Sequence, residues 1–233
     1  MIRFTSCTLA LVLSLAAAAA TALARPSPDD ERLVAQSELF LKAHPDLHMR
    51  LRGLDRLGKD DLAGAIEDFH EAARHSDKPA QAILAELHWT GRGVPRDRGL
   101  AYVWMDLAAE RGYPLMVAKR EQYWRELAPD EREVALARGE DFYGQYGDAV
   151  ARPRLEALMK RAKINFRRSR AHSAGVDGVN VLVGDKFHRI RGRLFHDEKF
   201  WTPEGYFAWQ DELGHGRGEA RVDVGEVEQL RAD

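Results

Sequence analysis

The sequence predicts a mainly α protein: a solenoid of αα-hairpins followed by a small mixed α/β C-terminal extension. Three observations lead there. Apolar residues recur at helical spacing from about Leu33 to Ile164, in stretches separated by Pro and Gly. The set Ala65, Phe69, Ala72 and Ala73 returns 36 residues later as Ala101, Met105, Ala108 and Ala109, and self-similarity at such a period marks a repeat architecture. Beyond Arg170 the pattern becomes a β-branched run, Val179-Asn180-Val181-Leu182-Val183, with Gly184-Asp185 behind it as a hairpin turn into Phe187 and Ile190.

Residues 1–24 read as a signal peptide. Arg3 supplies the basic start, Leu9 to Leu23 is uncharged and apolar, and Ala22-Leu23-Ala24 is a small-x-small cleavage site before Arg25-Pro26. Export to the periplasm or beyond is therefore expected, with no transmembrane span left after cleavage. Cys7, the one cysteine, lies inside that segment, so the mature chain depends on its apolar core without disulfides. Its formal charge is −3, from 34 bases against 37 acids once Arg3 is gone. The balance is uneven: residues 152–193 carry twelve bases against three acids, and residues 194–233 ten acids against four bases.

Ser27-Pro28 followed by Asp29, Asp30 and Glu31 starts a helix, with a capping hydroxyl, Pro at the first position and acids at the positive end of the dipole. That helix carries Leu33, Val34, Leu39, Phe40 and Leu41 as far as Pro45. Helices from Asp46 to Leu57 and from Asp61 to His75 follow, parted by Gly58-Lys59-Asp60. Ala82, Ile83, Leu84 and Leu87 make the apolar face of the next, Gly91-Arg92-Gly93-Val94-Pro95 interrupts, and Asp97 caps a helix bearing Leu100, Ala101, Trp104, Ala108 and Ala109. The small residues keep these two helices close, with Trp104 filling the space beside them and Val94 tucked between. Tyr123, Trp124 and Leu127, then a helix from Pro129-Asp130-Glu131 to Tyr146, offer a third pair. A further helix, about Ala149 to Phe166, has Leu155, Leu158, Met159, Ala162 and Ile164 among its bases. Thr202-Pro203-Glu204 starts the last one, with Tyr206, Phe207, Trp209 and Leu213 inside and Gly214 after it.

The string Leu84-Ala85-x-Leu87-His88-x-x-Gly91-x-Gly93-Val94-x-x-Asp97-x-x-x-Ala101-x-x-Trp104-x-x-x-Ala108-Ala109-x-x-Gly112 resembles a Sel1-like repeat, a relative of the tetratricopeptide repeat. It departs from the family pattern at Ala85, where Gly is usual, and at His88, where an aromatic is usual. The organisation that follows is a repeat region over residues 25–147, with a strong copy at 80–115 and a degenerate one at 46–79, and residues 148–233 as a basic helix and capping extension. The family's motif positions are structural, so the resemblance implies a partner-binding role without naming the residues that bind.

Chemistry-bearing patterns each have a simpler account. Ser169, His172 and Ser173 are neighbours in a polar loop, and no Gly-x-Ser-x-Gly elbow is present. His44-x-x-x-His48 has helical spacing, but Pro45 interrupts it and no Glu follows His44 as in zinc proteases; His196-Asp197-Glu198 and Asp211-Glu212 with His215 sit in polar loops. Gly91-x-Gly93 follows a helix, whereas a dinucleotide cradle follows a strand. No catalytic residue, metal or cofactor is expected. The open feature is the basic set Arg152, Arg154, Lys160, Arg161, Lys163, Arg167, Arg168 and Arg170, either a patch for an anionic partner or a solvated face neutralised by acids after Asp197 folding back.

The expected function is that of a non-catalytic, exported adaptor or scaffold holding a protein or peptide partner in the cell envelope. Nucleic acid is excluded by the compartment. The alternative is docking on anionic lipid or glycan through residues 152–193, and a third reading is a hydrolase with its site in the C-terminal third.

Overall fold

Prolines and aspartates start the helices where side-chain chemistry says they should. The computed structural model describes residues 28–168 and 178–216, so the expected signal peptide, Ser27, the neighbours Ser169, His172 and Ser173, and residues 217–233 lie outside it. Pro28, Pro45, Pro79, Pro114, Pro129 and Pro203 occupy first-turn positions, where a missing N–H leaves nothing unsatisfied. Asp61, Asp77 and Asp97 accept hydrogen bonds from the backbone N–H of Gly64, Ala80 and Leu100 at 3.1, 2.8 and 2.9 Å.

The helices are α1 (Pro28–Gln36), α2 (Glu38–Ala43), α3 (Pro45–Gly58), α4 (Leu62–Arg74), α5 (Lys78–Thr90), α6 (Arg98–Ala109), α7 (Pro114–Glu126), α8 (Pro129–Tyr146) and α9 (Asp148–Arg168). Then come β1 (Val179–Val183) and β2 (Lys186–Ile190), antiparallel with Val179 opposite Ile190 and Val183 opposite Lys186, followed by α10 (Gly192–Phe195), α11 (Glu198–Trp201) and α12 (Pro203–His215). Helix α3 packs on α4 and α5 on α6, as hairpins should.

Three readings of the elements need correction. The helix expected to run unbroken to Pro45 divides at Ser37, whose hydroxyl donates to the Val34 carbonyl at 2.7 Å and accepts from Phe40 N–H at 3.4 Å; a serine that bonds its neighbouring backbone competes with the helix ladder. Helices α7 and α8 pack mainly on α6 and not on each other, because Leu127 in their link is drawn into a small core with Val103 and Ala135. Gly214 does not end α12; it lies within it, and Gly216 at φ 80 closes the helix. Leu213 and Ile164, placed inside by their periodicity, are 47 % and 52 % exposed.

Burial sorts the chain into two main cores. One is the repeat core: Ala65, Phe69, Ala72, Ala73, Leu84, Leu87, Ala101, Trp104, Leu107, Ala108 and Tyr123. The other joins Val34, Phe40 and Leu47 from the N-terminal helices to Leu155, Met159, Val181, Ile190, Phe195, Phe200, Tyr206 and Trp209. Helices α1 and α2, together with Leu47 at the start of α3, thus share an interior with the C-terminal extension. Tyr206 and Trp209 surround Phe40 with ring centroids 6.0 and 6.4 Å away, within the range where aromatic pairs attract.

Within the strong hairpin Leu84, Ala101, Trp104 and Ala108 are fully buried, Leu87 and Ala109 nearly so, and Val94 packs half-buried against them. Gly91, Gly93 and Gly112 have φ of 75, 76 and 72°. A Cβ on Gly93 would stand 2.9 Å from Leu62 Cβ on α4, whereas one on Gly112 would meet nothing within 4 Å. The turn of one hairpin therefore rests directly on the helix of the previous one. Gly112→Ala should lose only the left-handed backbone preference, about 1–2 kcal/mol. Gly93→Val should lose that and a further 1–3 kcal/mol, roughly, from overpacking; thermal melts in which the two variants match would show that the Gly93–Leu62 approach is not a constraint.

Candidate functional site

Three junctions of the chain meet where the two cores touch: the start of α5 at Asp77-Lys78, the α6–α7 link at Glu110 to Tyr113, and the start of α9 at Asp148. Lys78 follows the capping Asp77, so its side chain is carried inward with the first turn of α5 and is fully buried. Its ammonium donates to Glu110 Oε2 at 2.7 Å, Leu107 O at 2.9 Å and Gln81 Oε1 at 3.2 Å, and stands 3.1 Å from Asp148 Oδ1. Arg111 clasps the same Asp148, Nε to Oδ2 at 2.7 Å and Nη2 to Oδ1 at 3.1 Å; Nη2 also donates to Ser76, and Nη1 reaches Tyr113 and Gln210. Burial alone would raise the Asp148 carboxyl, but the Arg111 hydrogen bonds and the Lys78 charge outweigh it and hold the group well below the usual carboxylate range.

A second polar set lies alongside. Asp46, fully buried on the first turn of α3, accepts from Tyr206 Oη at 2.7 Å and Gln210 Nε2 at 2.9 Å, both on α12. Burial raises its carboxyl despite those bonds and the Arg50 charge. Asp77, equally enclosed, is pushed up to about 6 by burial, with Asp46 adding to the rise and Arg50 and Arg111 opposing it. Arg50 Nε faces Asp77 Oδ2 at 3.3 Å, close enough for charge attraction but without hydrogen-bond alignment, and both atoms are otherwise unpartnered. His44, stacked on Phe40 at 3.7 Å, is lowered to about 4 by burial.

Above these groups opens a cavity of about 340 Å³ between the hairpins and α12. Arg50, Asp77, Arg111, Tyr113 and Gln210 line its polar side, and Pro79, Leu115, Met116 and Leu213 its apolar side. Leu115 is 86 % exposed. Helix α12 forms one wall because Gly214 lets it approach Tyr113: a Cβ there would sit 2.5 Å from the ring, and Tyr113 Oη donates to Asp211 at 2.6 Å. Three alternate helices of the array, α3, α5 and α7, contribute to this one opening.

The basic set is dispersed by the fold. Arg152 pairs with Asp148 at 3.0 Å and Asp211 at 3.7 Å and lies over the Phe207 ring. Arg154 donates to the carbonyls of Arg74 and Gln145 at 2.6 and 3.2 Å, at the C-terminal ends of α4 and α8, where a cation meets both orphan carbonyls and helix dipoles. Lys160 pairs with Glu156 on its own helix. Arg161 is exposed and Lys163 half-buried; Arg167 and Arg168 fall in the last turn of α9, and Arg170 lies outside the described residues. Among the described residues no three His, Cys, Asp or Glu side chains form a metal-holding group, and no helix is long and apolar enough to cross a membrane. His215 Nδ1 lies 2.8 Å from the carbonyl of Asp211, an ordinary helical contact.

Sequence reasoning missed this site because each member had a sufficient local explanation: Asp77 and Asp46 as acids at helix starts, Lys78 and Arg111 as polar residues flanking a hairpin. The available signal was Lys78 standing between a cap and Pro79, inside the repeat and one turn ahead of Ala82.

Asp148→Asn should remove the counter-charge of buried Arg111 and one of the two beside Lys78, and lower stability by about 3–5 kcal/mol, with Glu156→Gln, the half-exposed partner of Lys160, changing it by under about 1 kcal/mol. Urea unfolding that ranks the two alike would remove Asp148 from its structural role. Asp77 supplies a pH signature. Its carboxyl is raised from 3.8 to about 6, so between these values the folded chain binds a proton that the unfolded chain releases, and stability falls as pH rises. His44, lowered from 6.5 to about 4, has the opposite slope over nearly the same window. The difference in melting temperature between wild type and Asp77→Asn isolates the first: it should move against the wild type from pH 4 to 6 and stay flat above. A constant difference would show that Asp77 is not desolvated as described.

Comparison with known proteins places the central hairpin. The Sel1 repeat matches residues 78–113, one residue past the motif quoted above and beginning on Lys78 itself. No curated protein matches the sequence. Among solved structures the chain is similar to that of c5321, a protective antigen present in uropathogenic Escherichia coli strains displaying an SLR fold, at 20 % identity and a TM-score of 0.40 over 57 % of this chain and 27 % of that one. This chain thus spans about a quarter of that protein's length. With the motif glycines at positive φ, Trp104 buried between its hairpin and the next helices, and the repeat pattern matched from 78 to 113, residues 78–113 of the chain form a Sel1 repeat.

Proposed function

We propose that the protein is an exported, non-catalytic adaptor of the cell envelope that holds a protein or peptide partner at the opening between its hairpins and α12. The observation that carries this reading is the cavity: exposed Leu115 and Leu213 stand at the mouth of a recess floored by Arg50 and Asp77. Apolar side chains left in water beside a concave surface with a few polar groups are what a recognition site requires. A Sel1 repeat, a fold that serves protein interaction, supports the same reading. Export rests on the leader pattern of residues 1–24. Docking on an anionic surface through residues 152–193 has less support, since Arg152 and Arg154 are engaged within the fold.

A photo-crosslinking residue placed at Leu115 or at Leu213 should trap one and the same envelope partner, while the same residue at Phe187, 76 % exposed on the β-hairpin, should trap nothing. Adducts from Phe187 alone, or adducts lost in moderate salt as expected for exposed charges, would turn the assignment toward the basic extension. N-terminal sequencing of the protein recovered from the envelope should begin near Arg25; a chain retaining Met1 would refute export by cleavage.

A further inference from the structure

We propose that this opening recognises the free C-terminus of a peptide ending in an apolar residue, its terminal carboxylate on Arg50 and its last side chain among Pro79, Leu115, Met116 and Leu213. The proposal rests on the partner-binding reading and narrows it. Among the described residues Arg50 makes no hydrogen bond; its one ion pair runs from Nε to Asp77, which leaves the two terminal nitrogens of the fork unclaimed beside the cavity. The other cations of the site are fully engaged, Lys78 by Gln81, Leu107 and Glu110, and Arg111 by Asp148, Ser76, Tyr113 and Gln210. A guanidinium presenting two parallel N–H donors matches a carboxylate geometrically as well as in charge.

The nearby acids do not serve the opposite purpose. Asp77 gives one oxygen to Ala80 N–H and turns the other, buried, toward Arg50. Asp46 is held by Tyr206 and Gln210 and does not line the cavity. The groups open to a ligand at the floor are therefore donors, which favours an acceptor over the ammonium of a chain start. The size agrees: about 340 Å³ is near the lower end for ligand pockets, room for the last residue or two of a chain. A terminus also supplies a carboxylate and an apolar side chain on one atom's reach of each other, which is how the recess presents its guanidinium and its leucines.

The test uses the purified mature chain and a fluorescein-labelled peptide Gly-Ser-Gly-Ala-Leu, as the free acid and as the C-terminal amide, read by fluorescence anisotropy. The acid should bind at least about tenfold more tightly than the amide, the scale of one charge-assisted hydrogen-bonded pair. Leu115→Asp, at a side chain 86 % exposed and so harmless to folding, should weaken both forms. Arg50→Gln should bring the acid down to the amide. Equal affinity for acid and amide, binding indifferent to Leu115→Asp, or preference for a label-free amino terminus over the carboxylate would each overturn the proposal. If neither peptide binds while the crosslinker at Leu115 still traps a partner, the terminus proposal falls and the adaptor reading stands; if the crosslinker also traps nothing, both fall.

Discussion

A buried ammonium constrains this structure more than any apolar contact does. Lys78 has no access to water, and an unpaired charge in that position is costly enough to prevent folding unless acceptors surround it. Those acceptors come from three places far apart in sequence: Gln81 on its own helix, Leu107 and Glu110 at the end of α6, and Asp148 at the start of α9. Apolar burial is not directional and would tolerate a range of slides and rotations of α9 against the hairpin. Hydrogen bonds to a point charge are directional and admit one arrangement. Asp148 then transmits that arrangement onward through Arg111 to Ser76, Tyr113 and Gln210, so the end of the repeat array and the wall of the opening are set by one network.

Much of the fold was legible in the residues themselves. Pro at first-turn positions and Asp at caps act through the nearest few backbone groups, and Gly91, Gly93 and Gly112 act through their own φ; such signals survive in a single sequence because their causes are local. The departures were equally physical. Ser37 divides a helix because its hydroxyl satisfies backbone groups that the ladder would otherwise use. Gly214 looks like a helix stop, yet its reason for being Gly is the Tyr113 ring 2.5 Å from where a Cβ would stand, a neighbour about 100 residues away in the chain. Periodicity says which face of α1, α2 and α9 is buried but not against what, so the union of residues 28–47 with the C-terminal extension in one core had no local signature.

The candidate site was illegible for a related reason. A lysine beside a cap and an arginine after a hairpin have the composition of a solvated surface, and only the fold turns them inward. The basic run behaved in the reverse sense. A count of twelve bases against three acids over residues 152–193 suggests a field, but Arg152 closes on Asp148 and Asp211, and Arg154 on the carbonyl ends of α4 and α8. Charge summed along a chain measures potential only if the charges share a face and lack partners. Here Arg154 holds α9 against the hairpins and Arg152 ties α9 to α12 instead.

The opening belongs to neither core alone. Its floor is carried by α3 and α5, its apolar lip by α7, and its far wall by α12, which reaches it through Tyr206 and Gln210 on Asp46 and through Asp211 on Tyr113. Anything bound there touches elements from both sides of the seam, and a ligand that binds only the closed arrangement stabilises it by mass action. The converse also holds: whatever loosens α12 or α9 from the hairpins reduces the population able to bind and lowers the apparent affinity by that fraction. The capping extension, which on sequence alone only covers an exposed end of a helical stack, is thereby part of the opening itself, because Gln210, Leu213 and Gly214 of its last helix form the far wall of the recess over Arg50.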